Sequence, residues 1–588
     1  MLIAGATAAS ADTFCVNHSG CAAGHDFTTV QAAIDAAHAN DPGYPADPVR
    51  DKILVGTGIY DGAVDNGVDN PVDVYGSGRW RPTLPPSFRG TLIERPDGNN
   101  LTTVSMSFSY GSVAASTLHD VTVRVSTGSN NTGIHTDGDL DNVEVSADAN
   151  LTNGVGVDVE GNGRTLYRDG KVSLPGTAIG VRMHNASTDH STVQASTGFQ
   201  GEGGAITRST IQANVGATGY FTRVEDCLMQ IYGPGAIAFE ALGIGYNARG
   251  SVTAKNDTVM GDGGSDSIAA LAHSQATSGA QNSADVEIRS SIVRGFAKNF
   301  DLSGGAAGPD PAPADILVAY SDYDQSLPKT DAGGQGSINE TTPGGNTSAD
   351  PGFRSVGTPM DFHLLYTSPL IDRGDPAAPS SDVLFPPEPT IDLDGLKRKV
   401  DGDGNGRARV DMGAYEFQQT RPTIKSATAT PARPSTGQAV SFKGVADDSD
   451  GEPVTFHWRF GDGKRATGAS ASHRFANGGK KIAVLTVVDS RGLRSVRRIT
   501  LRVRGPAIRI AAPVDGARYK RGKKVTARYS CSEPFGSAQV TACKGPVADG
   551  KAIGTASAGR HAFTVRARDK AGRTASKTVH YTVTKKHA

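Results

Sequence analysis

The strongest constraint on this chain is a ten-residue pattern that recurs nine times between residues 116 and 326, as in STLHDVTVRV (116–125), GDLDNVEVSA (138–147), TLYRDGKVSL (165–174), AITRSTIQAN (205–214) and VEIRSSIVRG (286–295). Most copies place an apolar residue, a small or polar pair, and a second apolar residue. Successive copies begin 17 to 34 residues apart, which is the repeat range of solenoids. One copy is too short to bury its own apolar face, so copies must stack to make a core. Gly, Asn, Asp and Ser between copies suit the corners. Uneven spacing predicts loops of unequal length at those corners. A β-sandwich is the rival fold, but sandwiches rarely run beyond about 250 residues.

Composition agrees. Gly occurs 73 times in 588 residues, aromatics make up 6% and charged residues 20%. Few bulky residues and many turn formers suit short strands rather than a helical globule. Length alone suggests about three or four domains. No apolar run reaches the roughly 20 residues that span a bilayer, so no membrane span is expected.

The opening MLIAGATAASADTFC ends its small apolar run in Ala9-Ser10-Ala11, like the back end of a secretory signal. Residues 1–11 are read as a signal remnant, and the protein as exported, extracellular or at a bacterial cell surface. Cys15 and Cys21 lie six apart, and Cys531 and Cys543 twelve apart. Each pair can close a small loop in an oxidising compartment. Cys227, between apolar neighbours, reads as a small buried hydrophobe.

After Cys21, TTVQAAIDAAHA has apolar residues at helical spacing behind Thr28 and Thr29 as N-caps, and DKILVGTGIYDG reads as strand and Gly turn. This opening, with the repeats, resembles the right-handed parallel β-helix proteins of the pectin lyase-like group. The residues ADPGF, DFHL, SPLIDRGDP, DLDG and VDMGAYE between 349 and 416 resemble the closing, choice-of-anchor-type segment of bacterial surface β-helix proteins. Residues 421–504 alternate apolar and polar, and DSDGEPVTFHWRFGDG followed by HRF and AVLTVVDSRG resembles the polycystic-kidney-disease (PKD) domain. That resemblance implies that Trp458 and Phe460 fill a sandwich core while Gly461, Asp462 and Gly463 turn the chain. Residues 505–585 look like a bacterial Ig-like repeat. The expected fold is therefore all-β: a right-handed parallel β-helix over 12–418, then two Ig-like sandwiches.

Charge divides the same way. Residues 421–588 hold 33 of the 59 Lys and Arg but 10 of the 60 Asp and Glu, so residues 1–420 hold 26 and 50. Such a split suggests modules with different electrostatic partners, an anionic surface for the basic sandwiches among them. Aromatic interleaving is missing there, so no specific nucleic acid is expected. No P-loop or dinucleotide pattern appears, so no nucleotide cofactor is expected either.

The clearest site motif is DGDGNGRARVD. Asp401, Asp403 and Asn405 alternate ahead of Gly406, as in calcium loops, with the Arg407 carbonyl and Asp411 completing a structural calcium site and Asp392 or Asp394 close enough to approach. Asp447, Asp448, Asp450 and Glu452 read as a solvated acidic loop. Pectin lyase-like folds host lyases, hydrolases, esterases and noncatalytic adhesins, so fold does not decide activity. Lys171 and Arg182, with His184 and His190, are candidate bases by type. Asp137, Asp139 and Asp141 are candidate carboxylates, since inverting hydrolysis needs a pair roughly 6.5–9.5 Å apart. Tyr167, Tyr220, Tyr232 and Tyr246 are candidate platforms for sugar rings. The favoured reading is a monomer whose β-helix binds polysaccharide or a cell-wall polymer, with the sandwiches as spacer and adhesion arms. The alternative is a secreted polysaccharide lyase or, behind it, a glycoside hydrolase.

Overall fold

The protein is described from a computed structural model. It covers residues 12–585 apart from 20, 22–23, 41–50, 63, 66–71, 80, 82, 84–89, 96, 107–115, 149, 162–164, 246, 278–279, 305–311, 332–334, 342–344, 377–389 and 536–537. The expected leader, residues 1–11, lies outside the described residues. The chain divides into two compact units, 1–418 and 419–588.

The first unit is a parallel β-helix. Among the described residues it has three parallel sheets, of fourteen, eleven and eleven strands. A typical coil gives one strand to each: Leu166–Arg168 to the first sheet, Lys171–Ser173 to the second and Gly176–His184 to the third. The recurring ten-residue pattern is the strand of the first sheet, the corner after it and the strand of the second. The residue at this corner sits in the left-handed region, as with Asn142 (φ 53°), Asp169 (50°), His190 (51°) and Arg208 (42°). Short polar side chains tolerate that conformation better than branched ones do. The residue that follows faces the core and ties one coil to the next. Gly170 donates its amide to Ser191 Oγ at 3.1 Å, Ser191 to Ser209 Oγ at 3.0 Å, and Cys227 to Asp257 Oδ1 at 2.8 Å. Cys227 is fully buried, as expected of a small hydrophobe.

Glycine serves a specific purpose where the chain leaves the second sheet for the third. Gly133, Gly156, Gly180, Gly198 and Gly216 occupy successive coils there. A Cβ on Gly198 would sit 2.3 Å from Ile211 Cγ2 and 2.9 Å from the Gly216 carbonyl oxygen. No side chain fits between the valine-rich wall of the second sheet and the next coil.

The helix Val30–Asn40 covers the start of the solenoid, and Thr29 Oγ1 accepts the Ala32 amide at 3.2 Å as its N-cap. The Cys15–Cys21 disulfide closes beside it. The closing segment does not stack beyond the last coil. Residues 346–376 and 390–418 fold back along the outer face of earlier coils. There Gly413 donates to the Ser290 carbonyl at 2.8 Å and Ala414 to Thr258 Oγ1 at 2.9 Å. Leu370, Ile371, Met412 and Phe417 pack with Ile292 of the second sheet. Arg398, 3% exposed, pins the segment through Asp226 at 2.5 Å and the Asn256 carbonyl at 3.1 Å.

The second unit is two sandwiches. In 419–504 a three-stranded sheet packs on the sheet ordered Arg465–Thr467, Thr455–Arg459, Gly479–Val488, Arg494–Val503. Trp458 is fully buried against Phe442, and its Nε1 donates to the Gly468 carbonyl at 3.1 Å. Gly461 and Gly463 take φ of 79° and 90°, and Asp462 Oδ1 accepts the Lys464 amide at 3.2 Å, so the motif is core and turn. The acidic loop corrects the sequence reading. Only Asp447 is exposed, while Asp450 is fully buried and receives the Thr420 amide at 2.6 Å, and Glu452 is buried against Ser490 and Arg491. In the last sandwich the Cys531–Cys543 disulfide, Cα–Cα 5.9 Å, joins one sheet to the other rather than tying a hairpin.

Candidate functional site

The outer face of the second sheet is flanked toward its N-terminal coils by Arg79 and Arg81 and farther along by the folded-back segment. Between them lies a groove of about 660 Å³. Lys171, Thr192 and Thr210 form its floor and lie in register on three successive strands. Two residues further along the same strands, Ser173, Gln194 and Gln212 make a second outward row that continues to Gln230. Gln212 Nε2 donates to Gln230 Oε1 at 2.6 Å. One wall is the column of left-handed corner residues Asn142, Asp169, His190 and Arg208. The far wall is Leu393, Asp394 and Tyr415 of the folded-back segment.

Each charge in the groove is held. Lys171 Nζ donates to Glu144 Oε1 at 2.7 Å, and Arg81 Nη1 to Glu144 Oε2 at 2.9 Å. Burial alone would raise the Glu144 carboxyl, but these two cations outweigh it and hold the group below the usual carboxylate range. Arg208 pairs with Asp189, His190 with Asp169, and Arg79 donates to the Asn142 and Asp169 carbonyls. Asp394 pairs with His363 Nε2 at 2.6 Å, and the His363 ring lies 4.0 Å from that of Tyr415. The result is a fixed, polar gutter with a floor of one paired ammonium and two hydroxyls, cationic and aromatic walls, and few rotamers left to freeze.

The other candidates are dispersed. Arg182 is on the third sheet, donating to Gln200 at 3.1 Å and lying 3.7 Å from Asp158, and His184 pairs with Glu202 beside it. Lys171 and Arg182 therefore face different sides of the solenoid. Asp139 Oδ1 accepts the Leu166 amide at 2.9 Å and the Asp137 carbonyl accepts the Thr165 hydroxyl at 3.0 Å, both at the corner into the first sheet. Asp141 lies 3.5 Å from His119. Tyr167 is no platform: it is fully buried, its hydroxyl donating to the Val143 carbonyl at 3.0 Å. Tyr220 and Tyr232 are exposed, and Tyr246 lies outside the described residues. Sequence reading missed Arg79, Arg208 and Tyr415. Arg208 lies in a quoted repeat and Tyr415 in VDMGAYE, but nothing local marks either as lining a site, and the three come from segments up to 336 residues apart.

In the acidic loop, oxygens of Asp401, Asp403 and Asp372 lie within 4.8 Å of one another. Asp372 is the member the sequence did not supply. Asp401 Oδ1 is buried without a hydrogen-bond partner among the described residues. Asn405 folds onto Asp403, donating its amide nitrogen at 2.9 Å, and its Oδ1 accepts the Arg407 amide at 2.8 Å. Asp411 stands behind the loop. Fully buried, it accepts the Asp372 and Phe417 amides at 2.7 and 2.6 Å, and so orients Asp372. Asp392 is likewise committed to the Asp394, Leu396 and Glu416 amides, and Asp394 belongs to the groove.

Comparison with known proteins bears on the second unit. Residues 419–504 match the PKD domain family. Among solved structures, the PKD1 domain of Vibrio anguillarum Epp is 22% identical, with 15% of this chain and 96% of that one covered and a TM-score of 0.13. The PKD1 domain of Vibrio cholerae metalloprotease PrtV is 24% identical, with 14% and 98% covered and a TM-score of 0.13. The Bacteroides ovatus glucan-utilisation protein SGBP-B, solved with a mixed-linkage heptasaccharide, is 13% identical, with 28% and 48% covered and a TM-score of 0.16. At these identities and scores none of the three bears on function. No curated protein matches the chain. The PKD domain and two disulfides fit an extracellular protein. No helix among the described residues is long and apolar enough to cross a membrane.

Proposed function

We propose that the protein binds an extracellular polysaccharide along the second sheet of its β-helix, with the PKD and Ig-like domains as spacer and adhesion arms. The observation that carries this reading is the groove floor. Lys171, Thr192 and Thr210 stand in register along it, and the row Ser173, Gln194, Gln212 and Gln230 runs beside it, so polar groups repeat at the strand spacing of about 4.8 Å, a period a polymer of hydroxyl-bearing units can follow. The test is calorimetric titration of the whole protein with soluble neutral and acidic polysaccharides. Thr192→Trp fills the groove and is expected to abolish binding, and Gln212→Ala to weaken it about five-fold, for a lost hydrogen bond of about 1 kcal/mol. Binding unchanged in Thr192→Trp would refute the groove.

Lys171 favours one alternative, a lyase, because it and His190 are the two candidate bases that line the groove, and Lys171 stands on its floor. Absorbance near 235 nm, rising with a uronic-acid polymer and flat in Lys171→Ala, would establish it.

We also propose that Asp372, Asp401 and Asp403, with Asn405 beside them, hold a structural calcium ion, because three carboxylates converge where one carboxylate oxygen lacks a partner among the described residues.

A further inference from the structure

The Ig-like domain contains four acidic residues, and all of them are committed. Asp569 pairs with Arg573 at 2.6 Å. Glu533 accepts the Gly505 amide at 2.7 Å, Asp549 the Tyr529 amide at 2.7 Å, and Asp515 the His580 amide at 2.7 Å. None of the four lines the outer face of the sheet built from Val540–Lys544, Gly559–Asp569 and Thr574–Thr584. On that face Lys544 stands directly opposite Arg566, and Arg568 follows two residues along the same strand. Like charges directly opposite each other on neighbouring strands destabilise a sheet. Here no carboxylate relieves them, and no ion pair involves any of the three among the described residues.

These cations line a cavity of about 980 Å³. Its remaining walls are Thr436 and Ala476 of the PKD domain, the hydroxyls of Thr564, Thr574 and Ser576, and small residues around Pro546. Asn477 Nδ2 donates to the Ser576 carbonyl at 3.1 Å and holds the two domains together at its edge. No aromatic side chain lines the cavity.

We infer that this cavity is a second binding site, independent of the β-helix groove, for an acidic polysaccharide: a chain bearing repeated carboxylate, sulfate or phosphate groups. Three cations without internal counter-ions supply the charge, and the hydroxyls supply neutral contacts to sugar oxygens. The volume admits several rings, being at the upper end of ordinary ligand sites. A neutral glycan would leave the cations unpaired and find no ring to stack on. A nucleic acid would likewise find no platform for its bases.

The test uses the whole protein and calorimetric titration at 50 and 300 mM NaCl with polygalacturonate, dextran sulfate, inorganic phosphate and single-stranded DNA. The double variant Lys544→Gln/Arg566→Gln is expected to weaken the best polysaccharide at least ten-fold at low salt. Arg494→Gln/Arg498→Gln, which removes the same charge from exposed positions of the PKD sheet, is expected to cost less than three-fold. Thr192→Trp in the β-helix groove is expected to leave this binding intact, so loss of the groove reading and loss of this site are separable. Preference among the polymers assigns carboxylate or sulfate, and competition by inorganic phosphate points to a phosphate polymer. Equal losses in the two double variants would replace the site with a diffuse basic surface and overturn the inference. Absence of polysaccharide binding, or tighter binding of DNA, would overturn it as well. Circular dichroism melts confirm that each variant folds.

Discussion

The two units handle charge in opposite ways. In the acidic β-helix, neighbouring coils neutralise one another: Glu94 with Arg124 at 2.6 Å, Glu144 with Lys171 and Arg81, Asp322 with Arg294 at 2.6 Å. Parallel stacking brings the same face of each coil to the same place, so a charge on one coil has its partner on the next. In the basic unit the strands are mostly antiparallel and do not repeat one face from coil to coil, and Lys and Arg outnumber Asp and Glu by 33 to 10 over 421–588. Most of those cations have no acid to meet. Residues 1–420 still keep 24 more acids than bases and residues 421–588 keep 23 more bases than acids, so each unit leaves charge of one sign for something outside, but in the β-helix Arg124, Lys171 and Arg294 are paired by an acid on a neighbouring coil.

The comparison can be broken at the core first. Trp458→Ala removes the largest fully buried side chain among the described residues and is expected to cost about 4 kcal/mol. Hydrogen exchange followed by mass spectrometry should rise across 419–504 and stay unchanged across 12–418. Spread into the β-helix would show that the units are not energetically separate.

Arg398→Ala is the matching cut in the first unit. It leaves Asp226 buried without its cation, and losing one partner of such a pair costs about 3–5 kcal/mol. Exchange is expected to rise over 391–418 and around Asn256, and Tyr415 should leave the groove wall, weakening glycan binding. Unaltered exchange would mean the folded-back segment is held by its apolar contacts alone.

The units should also differ with pH. Burial pushes Asp322 up to about 6, against the opposing pull of Arg294, and raises Asp257 well above the usual range. A carboxyl whose folded pKa exceeds its unfolded value near 4 contributes stability that is intact below pH 4 and lost as pH rises through the folded value. The unfolding free energy of the first unit from urea titration should therefore fall between pH 4 and 6, by on the order of 2–3 kcal/mol from Asp322. Asp322→Asn should flatten that slope, and a slope unchanged by it would refute the assignment.

The smallest effect is expected at the acidic loop. Calcium should raise the melting temperature of the first unit by a few degrees, and Asp403→Ala or Asp372→Ala should remove the increase. Equal melting in calcium and in chelator would eliminate the ion site.

Particular residues show what was legible in the chain. The corner pattern was visible because two local requirements coincide, a residue able to take positive φ and a small polar one behind it. That pattern also places Tyr167 in line with Leu140 and Thr188, on the inward face, so its burial was available to a stricter reading. The third-sheet strands escaped notice because they run from two to ten residues and share no spacing. The PKD acids looked solvated because their partners, Thr420, Ser490 and Arg491, lie up to 39 residues away in the chain.

The sequence by itself determined a stacked β architecture, two sandwiches, two disulfides and an opposed charge balance, since each depends on residues close together or on composition. Only the tertiary structure decided which face of the solenoid is covered, that Lys171 lies in a groove while Arg182 does not, that Asp372 joins Asp401 and Asp403, and that Lys544 and Arg566 face each other unrelieved. Those outcomes depend on contacts between distant segments, whose pairing is set by how the whole chain packs and leaves no local trace.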